Sequence, residues 1–249
     1  MNEVICGDAA DILSQMKSNF IDLVITSPPY DNLREYNGFT FDFDAILSCL
    51  YKVVKDGGII VWVVNDALIK GSESLTSFKQ AVKFVEAGFN LHDTMIYEKN
   101  SPSFPAVPGK SKRYTQIFEY MFVFSKGKPK TINLLCDKSN IEAGKDYGNR
   151  AVFGGKKYVV PDFSIRNNIW RYNTSKGNKF KHPAPFPEQL AADHILSWSN
   201  EEDLILDPMC GSGTVLVAAK KLNRKYIGID ISEEYCSMSI KRLKESSCQ

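Results

Sequence analysis

The sequence predicts an α/β chain built on a doubly wound sheet of seven strands, with helices on both faces. Three observations lead there. Short apolar runs alternate with stretches of helical periodicity along most of the 249 residues. Two of the runs, Ile21 to Thr26 and Ile59 to Val64, are close to continuously apolar, as parallel strands buried on both faces require. Strand ends also fall on acids and glycines that lead into helices, at Gly7-Asp8 and again from Asp207 to Gly213.

In chain order, Val4-Ile5-Cys6 reads as a strand that ends at Gly7-Asp8. Asp8 is placed to cap a helix whose apolar positions are Ile12, Leu13 and Met16. Phe43 to Val54 has helical spacing, and Lys55-Asp56-Gly57-Gly58 reads as its stop. A strand from Ile59 to Val64 closes on the polar pair Asn65-Asp66. A helix follows from Ser77 to Glu86, stopped by Gly88, then strands from Phe89 to Tyr97 and from Ile117 to Phe124. Between Lys126 and Lys181 the periodicity breaks down into Lys, Asn and Gly interspersed with aromatics. Irregular structure and short strands outside the main sheet are predicted there. Regularity returns at Pro187: a helix from Leu190 to Trp198, the strand Leu204 to Leu206, a turn through Gly213, and a helix from Thr214 to Leu222. The strand Tyr226 to Ile229 ends at Asp230, and a last helix starts at Glu233. The predicted organisation is one catalytic domain in two parts, 1–125 and 182–249, split by an insertion at 126–181.

Composition is that of an ordinary globular protein, 43% hydrophobic and 24% charged. No run of 18 apolar residues and no basic-then-apolar leader is present, so neither a membrane span nor a signal peptide is expected. The 6 cysteines are scattered without a C-x-x-C pair, which points to reduced thiols in a cytoplasmic protein and to no metal site. The net charge of +2 hides an asymmetry: residues 126–181 hold 13 Lys and Arg against 4 Asp and Glu. The rest of the chain is therefore acidic on balance. One basic segment on an acidic body suits contact with a polyanion at one place; a solvated Lys-rich surface is the alternative.

The turn Asp207-Pro208-Met209-Cys210-Gly211-Ser212-Gly213-Thr214 lies between an apolar strand and a helix, where open α/β sheets bind ligands. Its spacing is not G-x-G-x-x-G, so a dinucleotide is not the natural guest. Asp230 ends the next strand and is suited to accept hydrogen bonds from ribose hydroxyls. A nucleoside with a small charged tail fits this pair. Near the N-terminus, Thr26-Ser27-Pro28-Pro29-Tyr30 gives another strand a rigid ending.

These residues resemble a known family. DPMCGSGT followed by Ile227-Gly228-Ile229-Asp230 is similar to the S-adenosylmethionine (SAM) signature of DNA amino-methyltransferases, and Ser27-Pro28-Pro29-Tyr30 to their catalytic signature. The order, catalytic element first, resembles the circularly permuted, beta-type enzymes of restriction-modification systems and solitary bacterial or phage methyltransferases. The resemblance implies a Rossmann-like SAM-dependent sheet with an inserted target-recognition region, DNA as partner and a cytoplasmic location in a bacterial or phage-infected cell. It also makes a cognate restriction endonuclease a candidate partner, and leaves monomer and homodimer open. Asp8 resembles the contact to the cofactor adenine. His182 to Glu188, with Phe186 and Pro187, resembles the element that closes over the methionine end. Asp207, Pro208, Cys210, Gly211, Ser212, Gly213, Thr214, Asp230 and Ile231 complete the implied cofactor set.

The implied chemistry has a physical logic. An exocyclic amine is a poor nucleophile because its lone pair is delocalised into the ring. The Ser27 hydroxyl and the Pro28 carbonyl would accept hydrogen bonds from the amine, while neither Pro28 nor Pro29 has an N–H to compete. Tyr30 would stack on a base flipped from the duplex. Methyl transfer is then a direct displacement. Cytosine C5 chemistry needs a cysteine next to a proline, and no Pro-Cys dipeptide occurs. Serine in the first position is associated in the family mainly with N4 of cytosine, and aspartate with N6 of adenine. Cytosine N4 is the expected target, with adenine N6, an RNA or protein amide, and a catalytically dead DNA-binding module as alternatives. Candidate DNA contacts are Arg34 and Tyr36 after the catalytic motif, Arg113, and in the basic segment Arg150, Lys156, Lys157, Arg166 and Arg171. Cys210, His92 and His194 are expected to be structural.

Overall fold

A computed structural model describes residues 2–29, 41–100, 106–149, 154–173 and 187–246. The first strand, β1 (Asn2–Cys6), leads through Gly7 into α1 (Ala9–Gln15). Asp8 is the N-cap, its carboxylate accepting from the backbone N–H of Asp11. Next come β2 (Ile21–Thr26), α2 (Phe43–Val53) and β3 (Val54–Val64). A small hairpin, β4 (Leu68–Ile69) and β5 (Ser72–Glu73), precedes α3 (Thr76–Glu86), β6 (Asn90–Lys99) and β7 (Phe118–Ser125). The basic segment contributes β8 (Lys138–Ser139), β9 (Asp146–Asn149), β10 (Lys157–Val159), β11 (Phe163–Ser164) and β12 (Ile169–Tyr172). The chain then forms α4 (Glu188–Trp198), β13 (Leu204–Asp207), α5 (Thr214–Lys221), β14 (Lys225–Asp230) and α6 (Glu233–Glu245).

Among the described residues the main sheet has eight strands in the order β1-β14-β13-β2-β3-β7-β6-β12. The first five are mutually parallel, so their carboxyl ends share one edge; β7 alone runs against both its neighbours. The alternation of side chains along β3 explains the two-sided burial. Ile59, Val61 and Val63 face the core under α4 and α5, whereas Ile60, Trp62 and Val64 face the one under α1, α2 and α3. Helices thus cover both faces, as the apolar runs of β2 and β3 require.

Two expectations need correction. The insertion was expected outside the main sheet, yet β12 pairs in parallel with β6, from Ile169 opposite Ile96 to Tyr172 opposite Lys99, and adds an eighth strand to the expected seven. Trp170 and Tyr172 are buried while Ile169 and Arg171 are exposed, so a four-residue edge strand satisfies the core with two side chains. The second correction concerns Lys55 to Gly58. They lie inside β3, which starts directly at Val54, and the pairing register with β2 shifts across them. Val53 and Val54 are both fully buried, and the change from helix to strand occurs between them without a loop. A Cβ at Gly58 would lie 3.0 Å from the Asp22 carbonyl oxygen and 2.8 Å from Val54, so glycine here serves close strand packing.

Candidate functional site

The strand order sets five strand ends in a row. Gly7-Asp8, Asp230-Ile231, Asp207-Pro208, Ser27-Pro28 and Asn65-Asp66 lie at the carboxyl ends of β1, β14, β13, β2 and β3 respectively. Residues 181 positions apart meet at the centre of this row: the buried Thr26 hydroxyl donates to Asp207 Oδ1 at 2.8 Å. Asp207 Oδ1 also accepts from the Met209 backbone N–H at 3.2 Å. Burial pushes the Asp207 carboxyl up to about 7 in spite of these two bonds. Ser27 and Pro29, one and three residues beyond Thr26, are half-buried, and Pro28 is buried.

The turn after β13 is held from below. Cys210 N–H donates to the Ile229 carbonyl at 2.8 Å, and Gly213 N–H to the Cys210 carbonyl at 2.7 Å. Gly211 and Gly213 have φ of 49° and 76°, a conformation side chains rarely adopt. A Cβ at Gly213 would stand 2.7 Å from Ser239 Oγ, so α6 leaves no room for one. Cys210 is buried, and desolvation holds its thiol well above the ordinary range, so it is a neutral packing group. Asp230 is half-buried. Its Oδ2 accepts from Gly211 N–H at 2.8 Å and its Oδ1 from Ser232 N–H at 2.9 Å. Each oxygen keeps a further lone pair for a hydroxyl donor. Burial raises its carboxyl pKa against the pull of those two bonds. Next to it, Gly7 N–H binds the Asp230 carbonyl at 2.9 Å, which brings the exposed Asp8 alongside.

The other candidates are distributed. Pro187 is half-buried at the N-cap of α4, and Ile231 is half-buried beyond β14. Tyr30, Arg34, Tyr36, Arg150 and Phe186 lie outside the described residues. Lys156 is exposed; Lys157 pairs with Asp146 at 2.8 Å, Arg171 with Glu98 at 2.6 Å, and Arg113 donates to the Gly71 carbonyl. Arg166 is engaged inside the protein. Its guanidinium pairs with Asp137 and, at 2.5 Å, with Asp193 of α4, and lies 5.0 Å over the Trp170 ring. Tyr172 and Gln189 also donate to Asp193, each at 2.7 Å. Asp66 is committed as well: it accepts from the Ser77 N–H and hydroxyl and from Ser74, which anchors the start of α3. His194 is fully buried between Trp198 and Met121, and desolvation lowers its pKa to about 3, so it stays neutral. Among the described residues no group of three or more His, Cys, Asp or Glu is placed to hold a metal ion. No helix among them is long and apolar enough to cross a membrane.

Three residues stand out that sequence reading did not assign. Thr26 joins the two halves, Ser239 donates to the Gly211 carbonyl at 2.7 Å, and Arg242 reaches Ser212. Only the position of Thr26 beside Ser27 was a signal in the sequence.

Against known proteins, the N6/N4-type DNA methylase family matches residues 21–241. The chain belongs to that family. It is 53% identical to the orphan methyltransferase M.BamHII of Bacillus amyloliquefaciens, over 92% of each chain. It is 26% identical to the DNA adenine methyltransferase YhdJ of Escherichia coli K12, over 98% of this chain and 83% of that one. In fold it resembles the cytosine-N4-specific PvuII DNA methyltransferase, with a TM-score of 0.72 at 21% identity, over 99% of this chain and 90% of that one. A SAM complex of M1.HpyAVI aligns with a TM-score of 0.67 at 25% identity, over 98% and 99% of the two chains. The strand-end row suits such a donor: an acid with spare acceptor capacity at Asp230, and a glycine turn that lets a ligand approach the backbone closely.

Proposed function

We propose that this DNA methylase transfers a methyl group from SAM to N4 of a cytosine held at Ser27-Pro28. The observation that carries the reading is the 2.8 Å bond from Thr26 to Asp207, which ties the end of the acceptor strand to the start of the donor turn. SAM supplies an electrophilic methyl group, and the chain's own residues do the rest. Asp230 and Asp8 offer carboxylate oxygens to hydroxyl and amino groups of the donor nucleoside. Ser27 Oγ and the Pro28 carbonyl accept hydrogen bonds from the cytosine amine, which draws its nitrogen toward tetrahedral geometry and frees the lone pair. Pro28 and Pro29 fix the backbone and bring no N–H into that space. The prolines and the fully buried Thr26 keep the acceptors in place before the base arrives, so little reorganisation is needed at reaction.

The choice of cytosine rests on Ser27, a neutral hydroxyl where adenine enzymes of the family mainly carry aspartate. Adenine N6 is the second reading, and the adenine-specific relative at 26% identity favours it. The orphan description of the 53% identical relative supports an enzyme that modifies DNA without a companion endonuclease. The basic segment, including Lys156, supplies phosphate contacts. Transfer of labelled methyl from SAM to unmethylated duplex DNA, RNA and protein tests the class, and label only in RNA or protein would overturn it. In the same assay Ser27→Ala lowers kcat on the order of 10²-fold with SAM affinity unchanged. A fully active variant would remove Ser27 from the mechanism.

A further inference from the structure

Arg242 lies on α6, distant in sequence from both signatures, yet its guanidinium is directed into the turn after β13. Its Nη1 donates to the Ser212 carbonyl at 2.6 Å, to Ser212 Oγ at 3.0 Å and to Thr214 Oγ1 at 3.2 Å. The side chain is only 12% exposed. Glu188, at the start of α4, stands 3.9 Å from Nη2 and also pairs with Lys221 of α5 at 2.6 Å. One carboxylate therefore braces both the cation and the helix that the turn begins.

This arrangement has a consequence for the two hydroxyls. Each accepts from a group that can only donate, so each must direct its own hydrogen elsewhere. Both side chains are buried beneath the turn, at the amino end of α5, where the helix dipole favours negative charge. The ion pair with Glu188 is long and shared with Lys221, and Glu245 also acts on the guanidinium. We propose that Arg242, braced by Glu188, is a positioning residue for donor binding: it fixes the turn that receives the carboxylate of the zwitterionic amino-acid end of SAM.

The inference rests on the SAM reading above, and the test separates the two. SAM and 5′-methylthioadenosine, which lacks the amino-acid end, are titrated by calorimetry into the wild type, Arg242→Gln and Arg242→Lys. Steady-state KM and kcat, DNA affinity and melting temperature are measured alongside. Arg242→Gln raises the SAM Kd and KM by about tenfold, the scale expected when charge-assisted bonds are lost. Its kcat at saturating SAM and its affinities for DNA and 5′-methylthioadenosine stay within about twofold. Arg242→Lys recovers part of the loss and serves as the folded variant if the glutamine form does not accumulate. Ser212→Ala is non-additive with Arg242→Gln. Wild-type SAM affinity in a folded Arg242 variant overturns the inference, as does an equal loss for both ligands or a loss of melting temperature and kcat without a change in Kd. A wild-type protein that binds no SAM overturns the donor reading itself, and this inference with it.

Discussion

Asp207→Asn gives the most specific stability prediction. Both donors to Asp207, the Thr26 hydroxyl and the Met209 N–H, use the same oxygen, so an asparagine with its carbonyl at that place keeps both bonds. What the substitution removes is the charge. Burial lifts the carboxyl from 3.8 to about 7, so the folded state holds a proton that the unfolded chain releases. Stability from this group is therefore fully present below pH 3.8 and is lost as pH rises through about 7. At about 1.4 kcal/mol per pH unit, the interval amounts to roughly 4 kcal/mol as an upper bound. His194 acts in the opposite sense: with its pKa lowered to about 3, its contribution is present above 6.5 and is lost as pH falls. The difference between variant and wild type isolates Asp207, because His194 is common to both. Urea unfolding from pH 4 to pH 8 measures it. The variant gains on the wild type progressively over that range and by up to a few kcal/mol at its upper end. A difference that does not vary with pH would refute the buried, protonatable Asp207.

Four further outcomes are expected. Thr26→Val keeps shape but removes the donor to Asp207, and lowers unfolding free energy by about 1.5–3 kcal/mol in urea titrations. Gly213→Ala meets both the 76° φ and the Ser239 contact, so it costs roughly 2 kcal/mol and weakens SAM binding in the same preparation. Arg166→Ala leaves Asp193 without its cation and costs about 2–3 kcal/mol by thermal melting, discounted for the guanidinium's partial exposure. Lys156→Ala leaves the melting temperature alone but weakens DNA binding across all sequences, with the salt slope reduced by about 1.

The contrast between Arg166 and Lys156 shows what the sequence could and could not reveal. Both sit in the basic segment and both are candidate DNA contacts by composition alone. Arg166 finds Asp193 on a helix 27 residues later, a pairing that depends on where β12 docks. That docking was itself hidden, because Ile169 to Tyr172 is short, half exposed and set among asparagines and lysines. By contrast β2 and β3 were legible, since strands buried on both faces keep long apolar runs, Leu23 to Ile25 and Ile59 to Val64, with few polar positions to disguise them. The turn after β13 was legible for the same reason its glycines are needed: the backbone there adopts φ values that other residues resist. Its supports were not, because Ser239 and Arg242 belong to a helix whose own amphipathic pattern explains its formation without reference to the turn. The helix-to-strand junction at Val53-Val54 was misread from Gly57-Gly58, where glycines that serve close strand packing look like a helix stop.

The central claim is that Ser27-Pro28 presents a cytosine amine to a methyl donor held by the turn after Asp207. Its most direct test is to incubate the protein with SAM and unmethylated DNA, digest the product to nucleosides and identify the methylated base by mass and chromatographic position. The account predicts N4-methylcytosine, formed on the order of 10²-fold more slowly by Ser27→Ala. N6-methyladenine would contradict the assignment of the base, and DNA left unmethylated by a protein that binds SAM would contradict the site.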